Sequence, residues 1–365
     1  PEEGFLRFRY RIDGVLRQVR SLHKNYWSAL AVRLKVMSGM DIAETRAPQD
    51  GRITLSLSGR SIDFRVSTIP TVHGENIVLR VLDRQKGIVP IDEIGLESEA
   101  LELLKLMVAR PEGLLLVTGP TGSGKTTTLY SVLNHLNTES VNIMTLEDPV
   151  EYPMGMIRQT SVNEAVRLDF ASGVRSMLRQ DPDIILVGEI RDEDTAAMAF
   201  RAAMTGHQVF STLHANSSLG AIPRLIDMGV RPDIMAGNVI GILAQRLFRK
   251  LRDDCKETYL PSEMECRILG LDPASNQHQV FRVIEEFRHA EHQGYEGRQA
   301  LMELLKFDAE LDELIAKSAT LREMNAVAVE NNFEALADVA VKRVLEGVTT
   351  LDEVSRVVDL TEKLT

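Results

Sequence analysis

The stretch Gly113-Leu114-Leu115-Leu116-Val117-Thr118-Gly119-Pro120-Thr121-Gly122-Ser123-Gly124-Lys125-Thr126-Thr127 decides how this chain folds. Its opening is a short apolar run bounded by turn formers, which predicts a strand buried on both faces. Gly119-x-x-x-x-Gly124-Lys125-Thr126 follows that strand directly and opens a helix, the setting in which this spacing makes a phosphate-binding loop. Backbone N–H groups can surround a phosphate only where side chains do not obstruct them, and the helix N-terminus adds partial positive charge. Lys125 is expected to reach the β- and γ-phosphates of ATP, and Thr126 to ligate Mg²⁺ through its hydroxyl. Gly119, Thr121, Gly122, Ser123, Gly124, Lys125, Thr126 and Thr127 are therefore the expected nucleotide-binding residues.

Outward from the loop, helix and strand patterns alternate. A helix is expected over 98–109, another from Gly124 to 137, and strands over 141–146, 184–187 and 208–213, which together predict a parallel α/β sheet. Hydrolysis needs carboxylates where such strands end. Glu147 follows the Ile143 to Leu146 run and Glu189 follows Ile184-Ile185-Leu186-Val187-Gly188, so both are expected to point into the ligand crevice. His214 occupies the carboxyl end of the 208–213 strand and is a candidate sensor of the γ-phosphate. Beyond residue 233 the pattern reads as mainly helical.

Upstream, Leu6, Phe8, Tyr10 and Ile12 alternate with arginines, predicting a half-buried strand that enters an Asp13-Gly14 hairpin turn. A helix over 26–40 and strands over 52–58, 61–69 and 75–83 complete a small α+β domain ending near Arg84. Gln85 through residue 95, with its Gly and Pro, reads as a linker and hinge. The strand that begins almost at the first residue predicts a chain continuing further upstream.

At 365 residues, two or three domains are expected. No apolar run approaches the roughly 18 residues of a membrane span. Nothing marks the chain for export, and two cysteines, Cys255 and Cys266, make no disulfide framework, which fits a reducing cytoplasm. A formal charge of −11 argues against a general nucleic-acid binder.

At this point the chain resembles the type II secretion and type IV pilus ATPases, closest to the assembly branch of GspE/PilB-like motors. The resemblance rests on Arg9-Tyr10-Arg11-Ile12-Asp13-Gly14-Val15-Leu16, on the phosphate loop with Thr127-Thr128-Leu129-Tyr130, and on Thr145-Leu146-Glu147-Asp148-Pro149-Val150-Glu151-Tyr152. Arg179 to Asp192, Thr205-Gly206-His207 with Ser211 to His214, and Ala244-Gln245-Arg246-Leu247 follow in the family's order. It implies an α/β fold: a RecA-like ATPase domain over 96–250, a small N-terminal α+β (PAS-like) domain over 1–84, a family-specific insertion over 251–298 and a helical C-terminal region over 299–365. It further implies a cytoplasmic homo-hexamer docked on inner-membrane platform proteins, driving assembly of a pilin or pseudopilin fibre by ATP hydrolysis without nucleic acid. Glu147 becomes the general base, and Glu189 the acid that joins Thr126 at Mg²⁺. Arg65 and Arg80 match arginines that complete a neighbouring subunit's site.

One departure concerns the insertion, where assembly-branch relatives commonly carry two Cys-x-x-Cys pairs for zinc. Arg252 stands where Cys255 needs its pair, Phe287 and Ala290 stand where the second pair falls, and His278, His289 and His292 match no usual ligand spacing. No zinc is expected. A DNA-transfer motor, a nucleotide-gated scaffold and a retraction motor are the competing readings.

Overall fold

The computed structural model describes residues 1–57, 59–83, 87–274, 279–288, 290 and 292–364. Gln85 and Lys86 of the expected linker, and His278 and His289 of the insertion, lie outside them. The chain divides into two units, Pro1–Ile88 and Val89–Thr365.

In the first unit β1 (Phe5–Ile12) and β2 (Val15–His23) form a hairpin of their own. Asp13 and Gly14 make its turn, both with positive φ, which is what a two-residue turn matching strand twist demands. The expected half-burial is not found: Leu6 is buried, but Tyr10 and Ile12 are exposed, because this ribbon pairs with no third strand among the described residues. After α1 (Trp27–Ser38), strands β3 (Gln49–Leu57), β4 (Arg60–Thr71) and β5 (Gly74–Asp83) form an antiparallel meander. Met40, Ile53 and Val66 are the buried centre against α1, with Leu34, Met37, Phe64 and Ile77 around them. Lys35 is buried there too, its ammonium 2.6 Å from Glu75. On the opposite face the register sets Arg52 beside Arg65 and Arg65 beside Arg80.

The second unit begins with α2 (Ser98–Val108), β6 (Gly113–Thr118), α3 (Lys125–Leu136), β7 (Ile143–Glu147) and β8 (Arg158–Ser161). It continues with α4 (Phe170–Met177), β9 (Ile184–Val187), α5 (Glu193–Met204), β10 (Gln208–Leu213), α6 (Ala221–Asp227) and α7 (Pro232–Met235). The next strand, β11, is thirteen residues long (Val239–Leu251). The insertion adds the short pair β12 (Lys256–Tyr259) and β13 (Val280–Val283) with α8 (Glu263–Leu269) and α9 (Glu285–Arg288). A second long strand, β14 (Tyr295–Lys306), precedes α10 (Ala309–Ala316), α11 (Leu321–Glu330), α12 (Leu336–Leu345) and α13 (Leu351–Ser355).

The sheet order is β14-β11-β6-β10-β9-β7-β8, with every pairing parallel except β11 with β14. The mainly helical reading after residue 233 is thus corrected by two long strands. β11 is buried almost throughout and opens with the unbroken apolar run Val239 to Ala244, because it lies inside the sheet between β6 and β14, and such a run shows no period of two. Leu114, Leu116, Ile185, Val187 and Val209 form one core with α4, α5 and α6; Ala244, Phe248 and Leu301 form another with α8, α12 and α13. Each fully buried leucine here contributes about 1.5–3 kcal/mol. Alternating crossovers put the carboxyl ends of β6, β7, β9 and β10 along one edge, which is where the chemistry gathers.

Candidate nucleotide-hydrolysing site

The loop between β6 and α3 is shaped by what its glycines avoid. A Cβ on Gly119 would sit 2.5 Å from the Gln245 carbonyl oxygen and 2.7 Å from Ser123 Oγ, while one on Gly122 would meet open space. Gly119, Gly122 and Gly124 all have positive φ, and Gly124 caps the start of α3. Lys125 Nζ donates to the carbonyls of Gly119 (2.8 Å) and Pro120 (3.1 Å). Ser123 Oγ is buried with no hydrogen-bond partner among the described residues. A positive-φ loop, an orphaned hydroxyl and a lysine at a helix N-terminus fit a polyphosphate and its cation, with Thr126 next along the helix.

The loop is held from behind by β11. Gln245 is fully buried; its Nε2 donates to the Ser123 carbonyl (2.6 Å) and its Oε1 accepts from Thr128 Oγ1 (2.9 Å). Next to it, Arg246 donates to the Asn216 carbonyl at 2.7 Å, tying β11 to the segment after β10. Thr118 Oγ1 accepts from Ala215 N at 2.8 Å and fixes the same segment to the end of β6. His214 stands at its start.

Glu189 is the hub of the strand ends. The Arg191 guanidinium donates to its Oε1, and His214 Nε2 lies 3.5 Å from its Oε2. Arg191 also lies 3.4 Å from Asp148 Oδ2, so residues following β7, β9 and β10 meet in one cluster. The hydrogen bond from Arg191 to Glu189 raises the proton affinity of that guanidinium further. Lys125 is set against the same cluster: burial lowers its pKa below the ordinary value, Arg246 adds to this, and the Glu189 charge opposes it.

Glu147, the last residue of β7, is more enclosed than Glu189 after β9. Its side chain is buried at 5 % exposure. Tyr130 of α3 donates to Oε2, Thr145 Oγ1 donates to Oε1 at 2.5 Å, and Gln159 of β8 donates to Oε1 at 3.3 Å. Burial raises its pKa above the ordinary carboxylate value, with the three hydrogen bonds opposing and Glu151 adding to the rise. Arg65 and Arg80 belong to the first unit, where β4 and β5 bring them together.

Of the residues singled out in the sequence, Lys125, Glu189 and His214 are thus gathered at the strand ends, and His214 acquires a partner that spacing did not supply. Tyr130, Thr145, Gln159 and Gln245 were not assigned roles. Tyr130, Thr145 and Gln245 lie inside motifs that carry the resemblance, which was the available signal. Gln159 had none, since its place beside Glu147 is defined by the register of β8 on β7.

The family model for the type II/IV secretion system protein matches residues 1–356. The chain is 48% identical to the type II secretion system protein E of Pseudomonas aeruginosa over 351 residues, 96% of this chain and 69% of that one. It is 45% identical to the type IV pilus assembly ATPase PilB of Acinetobacter baylyi over 359 residues, 98% of this chain and 62% of that one. Among solved structures, the pilus retraction motor PilT with bound ADP aligns with a TM-score of 0.66 at 27% identity, covering 96% of this chain and 90% of that one. The loop, the strand-end carboxylates and the matched span agree, and the chain belongs to the type II/IV secretion system protein family.

Proposed function

We propose that this chain is an ATP-hydrolysing motor subunit of a type II secretion or type IV pilus assembly machine. The observation that carries the reading is the convergence of Lys125, Glu189, Arg191 and His214 on the edge of the sheet where the phosphate loop opens α3. Backbone N–H groups from Gly119 to Lys125 bind the phosphates, with Lys125 supplying the nearest charge. Thr126 and Glu189 are the residues that hold Mg²⁺, which when bound neutralises developing negative charge on the phosphates. His214, oriented by Glu189, reads the terminal phosphate.

Glu147 takes the proton of the attacking water as that oxygen bonds to the terminal phosphorus. The bond from this phosphorus to the bridging oxygen breaks with its electron pair leaving on ADP, and the proton passes on to the phosphate product. Burial raises the proton affinity of Glu147, the direction that strengthens a general base. Arg65 and Arg80, side by side on one sheet face, act on the charge of a neighbouring copy's nucleotide, so a homo-hexamer at the cytoplasmic face of the inner membrane, docked on platform proteins, is the working form. The insertion needs no zinc in this reading: Arg252 binds Asp254 with two nitrogens at 2.9 and 2.7 Å and Glu296 at 2.9 Å, spanning the base of the segment with charge instead.

Mixing inactive variants tests the shared site. Lys125→Ala and Arg65→Ala are each expected to lose ATPase activity alone and to regain part of it when combined, since a mixed ring has some sites with both residues intact. No recovery at any ratio would remove the arginines from the neighbour's site and leave the phosphate loop standing.

A further inference from the structure

We propose that Tyr130 is the residue that positions Glu147 for proton abstraction, tying the carboxylate to the helix that the phosphate loop opens. The proposal rests on the reading of Glu147 as the general base. Tyr130 is fully buried and sits four residues after Thr126, so the two share one face of α3, one at the phosphate end and one beneath it. Its hydroxyl donates to Glu147 Oε2 and accepts from Glu151 N at 3.3 Å and Gln159 Nε2 at 3.4 Å. One proton and two lone pairs are thereby all used, which leaves the hydroxyl no alternative orientation. The ring is fixed as well, edge-on to Tyr152 with centroids 6.2 Å apart and planes at 77°.

The bookkeeping on Glu147 shows what Tyr130 controls. An ionised carboxylate offers about four lone-pair positions. Oε1 uses both of its own on Thr145 and Gln159, and Oε2 uses one on Tyr130. One position on Oε2 is left over, its direction set by the Tyr130 bond, and in this proposal it is the one that receives the water proton. Glu147 has no ion-pair partner among the described residues, so neutral donors alone favour its charged form. The titratable groups facing it are Tyr130 from α3 and Glu151 from the turn after β7; β8 contributes the neutral Gln159. Burial and the Glu147 charge push the Tyr130 hydroxyl far above its ordinary range, so it stays a donor at any working pH. A tyrosine that only filled space would need none of these polar contacts.

The test is the pH–rate profile of the full chain for Tyr130→Phe, Glu147→Gln and the double variant, with Thr145→Val as an independent probe. Tyr130→Phe keeps the ring in the core. It is expected to lower kcat about tenfold with KM for ATP within about twofold, and to move the acid limb to higher pH by about half a unit or more, because a donor to the charged form is lost. Thr145→Val is expected to move the limb the same way. In the Glu147→Gln background, Tyr130→Phe is expected to add nothing. An unmoved limb in Tyr130→Phe, or an equal loss in both backgrounds, would make Tyr130 a packing residue and overturn the proposal. Full activity in Glu147→Gln would instead remove the base assignment itself, a result distinct from the other two.

Discussion

His214 lies 3.5 Å from Glu189, and Glu189 also takes the Arg191 guanidinium, so the histidine is oriented by a carboxylate that is itself held. Removing the imidazole with His214→Ala is expected to reduce kcat by about ten- to a hundredfold, the usual scale for one positioned polar group, while ATP still binds. Fluorescent-nucleotide titration beside steady-state kinetics checks both halves; weaker binding with unchanged kcat would place His214 in nucleotide affinity alone. The phosphate loop was legible in the sequence because phosphate chemistry restricts local backbone and residue type together. The burial of Glu147 was not, because it depends on Tyr130 and Gln159, which reach it only after α3 and β8 have packed.

Long-range packing also decides the elements. β11 is joined to α13 by Arg249, whose Nε and Nη2 donate to Glu353 at 3.0 and 2.7 Å, while Arg249 N donates to the same carboxylate at 3.0 Å. Burial works against the charge on Glu353, but the bonds from Arg249 and Arg356 prevail and hold its pKa below the ordinary value. A carboxylate depressed in the fold adds stability above its unfolded pKa and loses it as pH falls through the folded one. Arg249→Met therefore leaves a buried, poorly compensated charge and is expected to cost about 3 kcal/mol near neutrality, with a smaller loss in acid. Urea unfolding at several pH values measures this; a loss independent of pH would mean that packing, not the ion pair, is responsible. Glu303 performs a related task on β14, accepting from Ser218 N at 2.5 Å, Ser218 Oγ at 2.9 Å and Leu336 N at 2.7 Å. Glu303→Ala orphans two buried N–H groups and is expected to destabilise by about 2–4 kcal/mol, read from the same unfolding curves. β11 and β14 themselves escaped the sequence reading because their pairing spans the whole insertion, whereas β6, β9 and β10 announced themselves as short bounded apolar runs.

At the scale of the molecule, charge is unevenly divided. The overall −11 conceals a first unit with more Lys and Arg than Asp and Glu and a second with the reverse. Association of copies through such surfaces is expected to weaken with salt, so ATPase activity per subunit should fall as salt is raised at low protein concentration and recover when the protein is concentrated. Activity per subunit that ignores both variables would argue for a self-sufficient monomer. No described helix is long and apolar enough to cross a membrane.

The central claim is hydrolysis of ATP at the phosphate loop, and steady-state phosphate release by purified protein tests it most directly, comparing the parent chain with Lys125→Ala and Glu189→Gln. The account predicts release that is lost in both variants, with nucleotide binding also lost in Lys125→Ala and retained in Glu189→Gln. Release that persists unchanged in Lys125→Ala would contradict it.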